Sequence, residues 1–159
     1  MHSFTEENYL KAIYHLSKKD GSVVTTNGIA EVINTKAASV TDMLKKLAEK
    51  KLINYIKYQG ATLTETGRQT ATEIIRKHRL WEVFLVEKLD FKWDEVHDIA
   101  EELEHINSTE LIERLDKFLG FPTADPHGDP LCARRYDRPA GARDGAEIVG
   151  IPGTAVHRR

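Results

Sequence analysis

Two stretches of the chain carry side chains of the kinds that hold divalent metal ions. The first, RKHRLWE at residues 76–82, places His78 and Glu82 four residues apart, so a helix puts both on one face. The second, DEVHDIAEELEHI at residues 94–106, is read as one helix. At about 100° per residue it gathers His97, Glu101, Glu104 and His105 within an arc of roughly 100°. Val96, Ile99, Leu103 and Ile106 then fall on the opposite side. Imidazole and carboxylate together suit first-row divalent ions, and a carboxylate-heavy set without thiolate leans toward manganese or ferrous iron. Either stretch alone looks like an ordinary solvated helix face. Two stretches with matching His and Glu spacings point to a metal site.

The elements that must carry these residues follow from periodicity. Thr64 and Glu65 start a long helix to about Leu89, with Ala71, Ile74, Ile75, Trp81, Phe84 and Leu85 at helical spacing. The 94–106 helix comes next. Asn107 or Ser108 then caps a last helix, with Glu110 placed for a capping box on Asn107 and Gly120 past its end. Its apolar residues Leu111, Ile112, Leu115, Phe118 and Leu119 add to a region rich enough in large side chains for a symmetric homodimer.

The first sixty residues read differently. Thr5 caps a helix to about residue 18, whose first turn suits Glu6 and Glu7, and Asp20-Gly21 ends it. Thr25 or Thr26 caps a short helix with Ile29, Ala30 and Ile33 inward. Asn34-Thr35 makes a break, and a third helix runs from about Lys36 to Lys50 over Val40, Met43, Leu44 and Leu47. Two short helices around a tight break form a helix-turn-helix pattern. Its second helix begins with small and hydroxyl residues, Ala37, Ala38, Ser39 and Thr41, that admit a close approach to duplex DNA. Lys36, Lys45, Lys46, Lys50 and Lys51 are within reach of phosphates. Residues 52–57 and 61–64 then read as a hairpin, a wing with Lys57, Tyr58 and Gln59 at its tip. A small helical bundle with solubilising lysines is the bland alternative. The order of three helices and a hairpin, with lysines gathered on one helix and the hairpin, favours the winged helix.

Charge divides along the same boundary. Residues 1–63 carry nine lysines against six acids, a net +3, whereas residues 64–120 carry eight bases against fourteen acids, a net −6. The overall −2 therefore conceals a basic segment suited to nucleic acid. Cys132 is the single cysteine, which excludes an internal disulfide and a cysteine-based zinc finger and fits a reducing compartment. No apolar run is long enough to span a bilayer, and the N-terminus lacks signal-peptide features, so a cytoplasmic protein without a membrane partner is expected. The expected domains are 1–64, a winged helix-turn-helix; 65–120, a helical metal-binding and dimerisation domain; and 121–159, a linker and tail. From Leu131 onward the chain uses six Arg and no Lys and has no periodicity, so the tail is expected to be disordered or locally docked, and it reads as sequence of altered origin.

With the helix-turn-helix, RKHRLWE and EVHDIAEELEHI in hand, the chain resembles the diphtheria-toxin-repressor family of metal-dependent transcriptional regulators over roughly residues 3–130. The resemblance implies a mainly α fold, a winged helix that binds double-stranded operator DNA as a homodimer, and metal sites in the helical domain. It implies an ancillary site at His78, Glu82 and His97 and a primary site including Glu101, Glu104 and His105. Glu101 stands where the iron-responsive branch has cysteine, a feature of manganese-responsive members. The primary site is completed in the family from the first helix, by Met or Asp at the position of Asn8 and, in short manganese regulators, by Glu at the position of Lys11. Asn8 offers an amide oxygen; Lys11 cannot be a ligand while charged. Longer members add a C-terminal domain resembling an SH3 barrel after the His-Gly-Asp-Pro region, for which this chain has no room, so a shortened or altered form of a longer member is expected.

The leading function is thus a repressor loaded with Mn2+ or Fe2+. A winged-helix regulator without metal is a second reading. An enzyme is a third, because Glu102-x-x-His105 is half of the di-iron carboxylate pattern, but the second half is missing from the sequence.

Overall fold

The structure, a computed structural model, describes residues 1–17 and 21–132. Helix α1, Phe4–Leu16, is entered through a capping box at Ser3: the Glu6 amide donates to Ser3 Oγ and the Ser3 amide donates to Glu6 Oε2, each at 3.2 Å. The expected cap at Thr5 is therefore corrected to Ser3, two residues earlier, because the reciprocal pair there satisfies two otherwise orphaned amides. The helix ends at Leu16 with Ser17 as its C-cap, and the expected extension to residue 18 lies outside the described residues. Helix α2, Thr26–Ile33, is capped by Thr25, whose Oγ1 accepts from the Gly28 amide, and it stops at Asn34 in the left-handed region (φ 58°). Asn tolerates that conformation well. Helix α3, Ala37–Glu49, follows directly.

Strands β1, Ile53–Ile56, and β2, Gly60–Leu63, form the antiparallel hairpin, paired from Ile53 opposite Leu63 to Ile56 opposite Gly60. Val24, just ahead of α2, bridges to Ala61 through two 2.9 Å backbone hydrogen bonds and ties the wing to the helices. Gly60 (φ 130°) permits this approach, since a Cβ there would lie 2.2 Å from the Val24 carbonyl oxygen.

Helix α4, Glu65–Leu89, is capped by Thr64 and ends at Asp90 (φ 58°). It spans both cores. Near its start Ala71 packs with Leu10, Ile13, Ile29, Val40, Leu44, Leu47 and Leu52 of the winged helix, each side chain contributing about 1.5–3 kcal/mol by its burial. Farther along, Leu80 and Trp81 pack with Ala100 and Leu115.

The 94–106 segment is not one helix. Helix α5 covers His97–Leu103, and Glu104 follows as its C-cap. Glu104 and His105 are both buried, and this burial overrides a local sequence that holds no stop signal before Asn107. Helix α6, Thr109–Phe118, is capped by Ser108, whose Oγ accepts from the Leu111 amide. The capping box on Asn107 is not formed; Glu110 pairs instead with Arg114 on the same helix. The result is a mainly α chain, a winged helix-turn-helix followed by a helical domain. Among the described residues no helix is long and apolar enough to cross a membrane. Of the tail, only Leu131 and Cys132 are described, and Leu131 packs on the second core; the expectation for residues 133–159 lies outside the described residues.

Candidate metal centre and nucleic-acid surface

His78 and Glu82 lie on the face of α4 that meets α5. His78 is held between two carboxylates: its Nδ1 is 2.7 Å from Glu104 Oε2 and its Nε2 is 3.1 Å from Glu82 Oε1. Burial opposes charge on this ring, but Glu104 and then Glu82 outweigh it and lift the His78 pKa to about 9. Burial would also raise Glu104 and Glu82, yet His78 beside both, with Lys11 beside Glu104, holds each carboxyl below its ordinary value. His97, at the start of α5, places Nδ1 3.7 Å from Glu82 Oε1 and stacks edge-on to His78 at 4.9 Å between ring centroids. His78, Glu82 and His97 thus offer ligand atoms all within 4.8 Å of one another. Two imidazoles and a buried carboxylate in one cluster fit a first-row divalent ion, and an ion taken up there would replace the proton on His78.

Glu82 belongs to a second group. With Asp125 and His127 it forms another set of three whose ligand atoms lie within 4.8 Å, His127 Nδ1 being 3.6 Å from Glu82 Oε2. Asp125 Oδ1 accepts the amides of His127 and Asp129, an Asx turn that aims the His127 ring back at α4. The sequence reading passed over Asp125 and His127, using His-Gly-Asp-Pro only as a landmark in the resemblance. The turn signal in that string and its histidine were the available clue.

Glu101, Glu104 and His105 are not gathered into such a group. Glu101 Oε1 lies 3.2 Å from His97 Nε2, on the exposed side of α5. Glu104 accepts from Lys11 Nζ at 2.7 Å as well as facing His78. His105 turns toward α1, with Nδ1 2.6 Å from Glu7 Oε2 and its ring stacked on Phe4. Asn8 and Lys11 line the groove of about 770 Å³ shared by α1, α4 and α5. Glu7 is the residue no local pattern reveals: its partner is 98 positions away.

The candidate DNA face is built on α3 and the wing. Lys36, Ala38 and Ser39 at the start of α3 are exposed, Thr41 is partly exposed with its hydroxyl donated to the Ala37 carbonyl, and Lys45 is exposed. Lys57 and Tyr58 stand out at the tip of the wing, the Lys57 ammonium 5.1 Å from the Tyr58 ring centre. Lys46 is engaged inward: its Nζ is 3.1 Å from Glu6 Oε1, and Lys50 Nζ is 2.8 Å from the same oxygen. Glu6 is 1% exposed. Burial would raise its carboxyl, but Lys50 and then Lys46 outweigh that and bring its pKa from 4.5 to about 2.

This pair joins α1 to the end of α3, and its linkage has a definite sign. A carboxyl lowered on folding contributes stability that is present above its ordinary value of 4.5 and lost as pH falls toward 2. Glu6→Gln is expected to cost about 1–3 kcal/mol at neutral pH and to flatten the acid limb between those values. Urea unfolding at pH 7 and pH 3 measures both effects.

Comparison with known proteins gives consistent matches. Residues 1–61 match a family model described as the iron dependent repressor N-terminal DNA binding domain, and residues 64–133 one described as the iron dependent repressor metal binding and dimerisation domain. An uncharacterized helix-turn-helix-type transcriptional regulator of Methanocaldococcus jannaschii is 39% identical over 113 residues, which is 71% of this chain and 90% of that protein. The iron-dependent repressor IdeR of Mycobacterium tuberculosis is 35% identical over 127 residues, 80% of this chain and 55% of that protein. Among solved structures, a manganese-dependent transcriptional repressor in complex with manganese superposes with a TM-score of 0.73 at 43% identity, covering 80% of this chain and 58% of that one. A hypothetical protein from Sulfolobus solfataricus does so at 0.70 and 26%, covering 83% and 100%. The chain thus spans about half the length of IdeR and of the manganese-dependent repressor.

Proposed function

The chain belongs to the iron-dependent repressor family, the diphtheria-toxin-repressor group of metal-dependent transcriptional regulators, and from that premise we propose that it represses transcription by binding operator DNA as a homodimer when loaded with Mn2+ or Fe2+. The observation that carries this reading is the cluster of His78, Glu82 and His97, built on α4 and α5 and lining one groove together with α1 of the winged helix. In this reading these three residues are metal ligands, Asp125 and His127 approach the same ion through Glu82, and Glu101, Glu104, His105 and Asn8 line the neighbouring site. A bound ion supplies a cross-link among these side chains. The chain's own residues set what that link controls: Glu7 on His105 and Lys11 on Glu104 join α1 to the helical domain, and Glu6 joins α1 to α3. The orientation of α3 is therefore coupled to the cluster, and by linkage DNA tightens metal as metal tightens DNA.

The DNA contacts in this reading are Lys36, Ala38, Ser39, Thr41 and Lys45 on α3 and Lys57 and Tyr58 on the wing, with Lys46 available once it leaves Glu6. The domains divide near residue 64. Leu89, Phe91, Leu111 and Phe118 are exposed large apolar residues of the helical half and support a dimer interface there. The protein acts in the cytoplasm on DNA and performs no chemical turnover.

Salt titration of duplex binding tests the DNA half. With several phosphate contacts per dimer, affinity is expected to fall by about 10³-fold or more between roughly 50 and 200 mM salt, and Lys45→Ala should reduce the logarithmic slope by about 1. Affinity independent of salt would overturn the assigned DNA face.

A further inference from the structure

Lys11 reaches out of α1 into the place between α4 and α5 where carboxylates converge. Its Nζ donates to Glu104 Oε1 at 2.7 Å and lies 3.7 Å from Glu101 Oε1. Glu104 is fully buried, and its other oxygen is already on His78, so its charge is matched on both sides. The Lys11 side chain is itself only 17% exposed. A divalent ion bound to Glu101 and Glu104 would sit about 2.0–2.2 Å from each oxygen. The ammonium already lies against the same two oxygens, and a dication beside it would face a like charge in a largely buried pocket.

We propose that Lys11 is a resident cation of this pocket, holding the place of a second divalent ion between Glu101 and Glu104, so that each chain takes up one ion rather than two. The inference rests on reading His78, Glu82 and His97 as the metal site. Lys11 ties α1 to Glu104 whether or not an ion is present, and the occupancy of the His78 cluster alone is what metal changes. Lys11 is thereby a specificity-determining residue: it sets the number of ions bound.

Equilibrium dialysis against Mn2+, with bound metal counted by atomic absorption, tests this on the full chain. Wild type is expected to hold one ion per chain, Lys11→Gln two, and Lys11→Arg, which keeps the charge, one. Lys11→Met keeps the apolar stem and gives the same readout should the glutamine variant fail to fold, as judged by circular dichroism. His78→Ala in the Lys11→Gln background should return the count from two to one. Two ions on the wild type, or no gain in Lys11→Gln and Lys11→Met, would overturn the proposal. A wild type that binds none while Lys11→Gln binds one would remove the His78 cluster as the metal site yet uphold Lys11 as the occupant of its pocket.

Discussion

Glu82→Gln is expected to weaken Mn2+ or Fe2+ binding by more than the about 100-fold that loss of a supporting second-shell partner reaches. Glu82 is 2% exposed and is the one residue shared by both candidate groups, His78–Glu82–His97 and Glu82–Asp125–His127. Glutamine keeps the side-chain volume, so packing is preserved while the anionic oxygen facing His78, His97 and His127 is lost. His97→Ala, at the exposed edge of the cluster, should have the smaller effect. Isothermal titration with Mn2+ measures both variants. An affinity for Glu82→Gln within about threefold of wild type would exclude this carboxylate as a ligand.

Gly67→Ala should lower stability by about 3 kcal/mol, or roughly 6–12 °C in Tm for a chain of this size. Gly67 lies in the first turn of α4, where a Cβ would come within 1.8 Å of the Leu52 carbonyl oxygen and 2.8 Å of its carbon. Leu52 cannot easily give way. Its side chain is in the winged-helix core, its carbonyl accepts from the Thr64 amide, and Thr64 Oγ1 in turn donates to the Lys51 carbonyl. The start of α4 is thus seated on the link between α3 and the wing, and this seat fixes the angle at which the helix carries His78 and Glu82 away from the DNA-binding half. Thr66→Ala, exposed on the adjacent position, is the control and should change stability by less than about 0.5 kcal/mol. Thermal unfolding of the two variants decides it; equal melting temperatures would contradict the close approach.

Elements set by local pattern were legible in the sequence. The α4 span, the helix-turn-helix break at Asn34 and the wing hairpin all follow from helical spacing, a left-handed residue and strand residues around a glycine turn. His78 and Glu82 could be paired because they share one helix face, whereas their grouping with His97 came from the family resemblance, since helical spacing had set His97 beside Glu101, Glu104 and His105. What local pattern could not supply was the destination of buried charge. Glu6 and Glu7 look like ordinary acids at a helix start, yet they turn to opposite neighbours, Glu6 to Lys50 and Lys46 and Glu7 to His105. Those partners are far off in sequence, and nothing in FTEEN announces them. The same contacts explain the misread helix end. His105 faces α1 from the turn after Leu103, so the stripe drawn along an unbroken helix scattered Glu104 and His105 to other partners. Asp125 and His127 were missed because a turn, which has no periodicity, delivers them.

The most direct test of metal control is fluorescence anisotropy of a labelled duplex, taken from a random-sequence pool enriched on the protein, titrated with and without Mn2+, Fe2+ or Zn2+ at fixed salt. Mn2+ or Fe2+ should tighten binding of the wild type by about 5–150-fold, and Glu82→Gln should abolish that gain while keeping the metal-free affinity. If no ion changes the affinity of the wild type, the chain is a winged-helix protein whose histidines and carboxylates do not govern DNA binding.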